Sequence, residues 1–201
     1  MKVILPTLGA IALTGLATPA LAQSSQSVDI IGTAEAFCTL PDSWQVASTT
    51  NNVTASQFSG KTWTINPALL ADNTGNGIVS GSEVGIRVRG QGRCNTTHTI
   101  TLTSANGGLV HGASASNPPA GFQRTRRMTY NAHWRDQTSW GITNFIPQSA
   151  GASNTYDHGA KAPPGVREFD VRMGLLRDPT VGPMLAGSYS DQLTVTITIP
   201  G

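Results

Sequence analysis

Side-chain character in this sequence alternates with a period of two over several stretches, and that pattern confines the chain to β-structure. Val84, Ile86 and Val88 alternate with Gly85, Arg87 and Arg89, and Ile100 and Leu102 alternate with Thr99, Thr101 and Thr103. Phe169, Val171, Met173 and Leu175 alternate with Glu168, Asp170 and Arg172, while Leu193, Val195, Ile197 and Ile199 alternate with Thr194, Thr196 and Thr198. A further alternation places Val28, Ile30, Gly32, Ala34 and Ala36 on one side of a strand. Successive side chains on a strand point to opposite faces, so these runs have an apolar face and a mostly polar one. Aliphatics facing inward and threonines facing water describe antiparallel sheet with one wet face. Residues 166–177 also admit a short amphipathic helix, but Gly174 and the strict alternation favour a strand. The Ser-, Asn-, Gly- and Pro-rich segments 51–76 and 148–164 read as long loops or edge excursions within one domain. The expected fold is an all-β, antiparallel β-sandwich.

Charge narrows the classes of partner. Charged residues make up 12% of the 201-residue chain, about half the usual share, and the net charge is +2. That field is too weak and dispersed for phosphate neutralisation, so nucleic acid is not expected as a partner.

The N-terminus reads as an export signal. Lys2 precedes a largely apolar, uncharged stretch at 3–17, and Ala20-Leu21-Ala22 supplies a small-x-small cleavage pattern. Residues 1–22 are expected to be removed, leaving a mature domain of 23–201 that begins at Gln23. A membrane anchor is the competing reading, but the stretch carries Pro6 and Pro19 and is shorter than the roughly 20 apolar residues a span needs. No later segment is long and apolar enough to span as a helix, so no transmembrane segment is expected after cleavage. The two cysteines, Cys38 and Cys94, lie in the exported part and are expected to form a disulfide there. Closing a loop of that size stabilises by about 4 kcal/mol in the chain-entropy model. A metal-binding or reactive thiol is the alternative, disfavoured by the absence of CxxC spacing and of a nearby histidine cluster.

The sequence carries little catalytic chemistry. His98, His111, His133 and His158 stand in no tight ligand spacing. His133 and Asp136, three apart, would fall on opposite faces of a strand. There is no GxSxG elbow and no phosphate loop, and no enzyme activity, cofactor or metal is expected. Arg124, Arg126 and Arg127, with Trp134 and Trp140 nearby, admit two readings. One is a surface platform for a glycan or anion, with Trp134, Trp140 and Arg126 at its centre; the other is cross-strand packing of cations on aromatic rings.

Three blocks carry a resemblance. The final block, 186–199, runs Ala-Gly-Ser-Tyr-Ser-Asp-Gln-Leu-Thr-Val-Thr-Ile-Thr-Ile. The middle block runs from Arg127 through Tyr130, Asn131, Trp134 and Asp136, followed by Ser139-Trp140-Gly141. The third comprises Cys94, the strand to Leu102 and the Ser104-Ala105-Asn106-Gly107-Gly108 turn, with Cys38 ending a short first strand. Together they resemble the spore coat protein U family, the archaic (Csu-type) chaperone-usher pilin subunits of Gram-negative bacteria. That family's Phe-Gly motif has its nearest counterpart in Gln57-Phe58-Ser59-Gly60.

The resemblance implies an immunoglobulin-like sandwich that lacks its last strand, leaving an apolar groove and an unpaired edge. It further implies closure by donor-strand exchange, in which a neighbouring subunit's N-terminal extension is inserted as the missing strand after a periplasmic chaperone has held the groove. The donor segment would be about 23–37, with Val28, Ile30, Gly32 and Ala34 in the neighbour's pockets. The alternative is that this stretch is the first strand of its own sandwich. The implied function is a secreted subunit of a cell-surface fimbria serving adhesion or biofilm formation. Its partners would be copies of itself or related pilin subunits, a periplasmic chaperone and an outer-membrane usher. A monomeric, secreted carbohydrate-binding module is the competing function.

Overall fold

The computed structural model describes residues 29–50, 53–66, 70, 84–112, 118–135, 141–158, 165–176 and 183–200. The signal segment 1–22, Val28, Asp136 and Trp140 lie outside them. Among the described residues no helix is long and apolar enough to cross a membrane.

The chain divides into two units, Met1–Ala34 and Glu35–Gly201. In the first, residues 29–34 form no strand, and Ile30 and Ile31 are 95% and 94% exposed. The alternation that suggested a strand over 28–36 therefore builds none within this chain at 29–36. Alternation prepares a face, but a strand also needs an edge to receive its N–H and C=O groups.

The second unit is all-β. Its strands are β1 (Cys38–Thr39), β2 (Gln45–Thr49), β3 (Phe58–Ser59), β4 (Thr62–Trp63), β5 (Val84–Cys94), β6 (His98–Ser104) and β7 (Leu109–His111). They continue with β8 (Thr125–Arg126), β9 (Met128–Trp134), β10 (Ile142–Phe145), β11 (Ser153–His158), β12 (Gly165–Leu175), β13 (Tyr189–Ser190) and β14 (Leu193–Thr198). The larger sheet runs β1–β5–β12–β9–β10, with β2 also paired to β5; a second sheet runs β11–β6–β14. Two small sheets, β13–β7–β8 and β3–β4, flank them, and every strand pair is antiparallel.

The inner faces follow the sequence alternation. Val84, Ile86 and Val88 of β5, Ile100 and Leu102 of β6, and Phe169, Val171 and Leu175 of β12 are buried in one shared core. The segment 166–177 is thus strand, not helix, through Leu175. β9 contributes Met128, Tyr130, Ala132 and Trp134. Beyond Val88 the inward positions of β5 are Gly90 and Gly92, and both are needed for close approach. A Cβ on Gly92 would lie 2.6 Å from the Thr39 carbonyl oxygen and 2.9 Å from the Trp134 ring; one on Gly90 would lie 2.3 Å from the Ser43 carbonyl oxygen. Side chains there would push the 39–43 segment and the indole off the sheet.

Within 148–164, the described residues 148–158 include an edge excursion. Its residues 153–158 form β11, which pairs with β6 from Ser153↔Thr103 to His158↔His98. Within 51–76, the stretch 58–63 folds as the β3–β4 hairpin, with Gly60 at φ 61° in the turn.

Candidate functional site

The principal site is an apolar groove at the edge of β14. Leu193, Val195 and Ile197 face inward yet are only partly buried, whereas Ile100 and Leu102 on the adjoining β6 are fully buried. β14 pairs with β6 along one side, and no described strand pairs with the other. The groove beside it measures about 660 Å³ and is lined by Trp44, Met128, Val171 and Met173 with Leu193 and Val195. Phe58 and Trp63, cross-strand partners in the β3–β4 hairpin, also reach it, and Lys61, Asp191 and Gln192 supply polar atoms. The Gln57-Phe58-Ser59-Gly60 stretch therefore contributes an aromatic ring, Phe58, to the groove. A row of half-covered aliphatics beside an unpaired strand edge is suited to receive another strand: backbone groups pair along the edge while alternate side chains enter the groove.

Asp191, two residues before the start of β14, anchors one end of this groove. Its Oδ2 accepts from the Ser104 hydroxyl at 2.6 Å and from the Tyr130 hydroxyl, and its Oδ1 accepts from the backbone N–H groups of Asn106 and Gln192, each at 2.9 Å. Ser104 Oγ in turn accepts from the N–H of Gly107 at 2.9 Å and of Gly108 at 3.2 Å. The three sequence blocks that carried the resemblance thus meet at one carboxylate. Burial and the hydrogen bond to Asp191 both push the Tyr130 hydroxyl far above its usual pKa, so it remains a donor.

At the other end of β5 lies the disulfide. Cys38 and Cys94 are bonded and directly paired across β1 and β5. His98, fully buried at the start of β6, places Nδ1 at 3.0 Å from Cys94 Sγ and 3.1 Å from the Thr96 carbonyl oxygen. Its Nε2 accepts a 2.7 Å hydrogen bond from the Trp134 indole. The cysteines have no histidine cluster near them in sequence, yet the fold brings one histidine against them, and the spacing Cys94-x-x-x-His98 across a tight turn is its signal.

The aromatic and arginine platform does not reach the surface at two of its three positions. Trp134 is 0% and Arg126 2% exposed, and Trp140 lies outside the described residues. Trp134 packs edge-on against Phe169, with ring centroids 4.8 Å apart, and also contacts His98 edge-on. Alternation along β9 carries it inward with Tyr130 and Ala132, so this position belongs to packing and offers no ring to a glycan.

His133 faces the opposite side of β9, where it joins a row of polar groups. The strand register aligns His133 with Asp170 and Asp170 with Arg89. Arg89 binds Asp170 in bidentate fashion, Nε to Oδ1 at 2.6 Å and Nη2 to Oδ2 at 3.2 Å, and this hydrogen bonding raises the guanidinium pKa. Arg87 lies 3.9 Å from the same carboxylate, while Glu168 is bonded by Arg135. His133 Nε2 stands 4.0 Å from Asp170, but burial lowers its pKa to about 4 and keeps the imidazole neutral near pH 7. The carboxylate is thus neutralised by arginine, and the histidine fits a packed structural position.

Ile30, Gly32 and Ala34, expected as donor-strand residues with Val28, are exposed in the first unit, and a Cβ on Gly32 would meet nothing within 4 Å. No protein-family model matches the chain, and no curated protein matches it.

Proposed function

We propose that this chain is a secreted structural subunit of a surface fimbria, of the spore coat protein U type, and that it polymerises by donor-strand exchange through a chaperone-usher pathway. The carrying observation is β14: an edge strand with half-exposed inward aliphatics, bordering an apolar groove. An unpaired apolar edge is a liability in a monomer and is suited to strand addition. The occupant is the N-terminal segment of a second copy, with Val28, Ile30, Gly32 and Ala34 entering the groove on alternate positions. At about 3.3 Å per residue, 28–34 spans about 20 Å, similar to the six-residue β14 it would lie beside. The exposure of Ile30 supports this reading, since a large aliphatic in water gains by burial in a neighbour.

The test is deletion of 23–32 from the exported chain. Loss of subunit pairing and of detergent-resistant ladders, with the fold retained, is expected. Undiminished ladders would rule out the donor role.

A further inference from the structure

The surroundings of the disulfide are unequal on its two sides. Cys94 is 3% exposed at the end of the interior strand β5, while Cys38 is only partly buried on β1, a two-residue strand at the sheet edge. An incoming nucleophile therefore reaches Cys38 Sγ more readily. The second inequality is chemical. Because the Trp134 indole N–H donates to His98 Nε2, that nitrogen presents its lone pair, and the single proton of the neutral ring resides on Nδ1. This N–H points at the Thr96 carbonyl oxygen and at Cys94 Sγ.

A hydrogen bond to a disulfide sulfur is weak, whereas one to a thiolate is charge-assisted and strong. The His98 N–H therefore gains most as the S–S bond breaks toward Cys94, which makes Cys94 the better leaving group. A metal ion held by the reduced cysteines and His98 fits less well, because the proton occupies the nitrogen position that would have to supply a lone pair.

We propose that the Cys38–Cys94 bridge is a directional thiol–disulfide exchange site at which thiols attack Cys38 and His98 stabilises the departing Cys94 thiolate. The partner class is a small thiol or the active-site thiol of a dithiol oxidoreductase. In the reductive direction the partner's thiolate forms an S–S bond to Cys38, the Cys38–Cys94 bond breaks, and its electron pair leaves on Cys94. In the oxidative direction the Cys94 thiolate attacks the mixed disulfide on Cys38, restoring the bridge and releasing the partner's thiolate. His98 is a positioning residue in both, keeping its proton throughout.

The test uses the folded, oxidised full chain with excess reduced glutathione. Aliquots are quenched in acid at early times and alkylated, and the modified peptides are mapped by mass spectrometry. Glutathione on Cys38 with the alkyl group on Cys94 is expected. Glutathione on Cys94, equal labelling of both, or exchange only after global unfolding would overturn the proposal. Because this readout needs no variant, it stands even if substitutions at His98 impair folding. Where they fold, His98→Leu is expected to slow exchange about tenfold or more, while His98→Asn, which can keep an N–H near the Nδ1 position, retains most of the rate. A folded His98→Leu chain exchanging at the unaltered rate would also overturn it.

Discussion

The Tyr130 hydroxyl donates to Asp191 Oδ2 at 2.5 Å, tying the middle of β9 in the larger sheet to the turn that leads into β14 in the second. Since Ser104 and the Asn106 N–H share that carboxylate, it fixes where the unpaired strand begins relative to both β6 and β9.

Removal of this anchor should cost more than a surface hydrogen bond. Asp191→Ala strands the Tyr130 and Ser104 hydroxyls, both buried, and is expected to destabilise by about 3 kcal/mol in urea unfolding. Tyr130→Phe removes one donor, leaves the carboxylate its other three, and should cost about 1.5 kcal/mol. Equal costs for the two would show that the carboxylate is not the hub.

Asp170 illustrates a different dependence on partners. Its side chain is 1% exposed and is bound by Arg89, whose own side chain is 22% exposed. Asp170→Asn removes the anion and leaves two arginines on one sheet face. A loss of about 2 kcal/mol is expected, below the range for a fully buried pair because water screens the arginine. Arg89→Met combined with Asp170→Asn should recover part of it, which a double-mutant cycle measures.

His133 sets a pH dependence with a definite sign. Burial lowers its folded pKa to about 4, against about 6.5 in the unfolded chain. Between these values the unfolded state binds more protons, so stability falls as pH drops from about 6.5 to 4 and is unaffected by this group above that window. The full loss is roughly 3 kcal/mol, and His133→Gln should abolish this part of the acid destabilisation. A variant with an unchanged pH profile between 4 and 6.5 would exclude His133 as the source.

The parts of the structure that could be read from the sequence are those where side-chain alternation alone decides. The inward residues of β5, β6, β12 and β14 follow from it directly. β11 does not, because Ser153, Asn154, Thr155, Asp157 and His158 surround a single aromatic, Tyr156, and its strand state is imposed by pairing with β6. On β9 the pattern is obscured: Thr129, Asn131 and His133 alternate with apolar residues but are buried too, so the sequence around Trp134 and the arginine cluster admits a surface platform as well as packing. The Asp191 hub and the His98–Cys94 pair depend on turns that bring separated groups within hydrogen-bond distance, and such convergence leaves little periodic trace. The run 28–36 shows the converse, since its alternation is present while no strand forms at 29–36.

That unfulfilled alternation leads to a prediction about the groove. A peptide of residues 23–37 added to the full chain should bind beside β14 and raise the melting temperature. At a hundredfold excess over Kd the stabilisation is about 2.7 kcal/mol, which corresponds to roughly 5–10 °C for a domain of this size. The contact joins backbone groups and aliphatics, with few ionic groups along 28–34, where Asp29 is the one charge. Its salt dependence should therefore be small, even as the screening length falls from about 10 Å at 0.1 M to about 3 Å at 1 M salt. Val195→Arg places a cation in the groove and should eliminate the shift, while Thr196→Arg, on the opposite face of the same strand, should preserve it. A shift that vanishes in high salt, or that survives Val195→Arg, would mean that the peptide binds elsewhere.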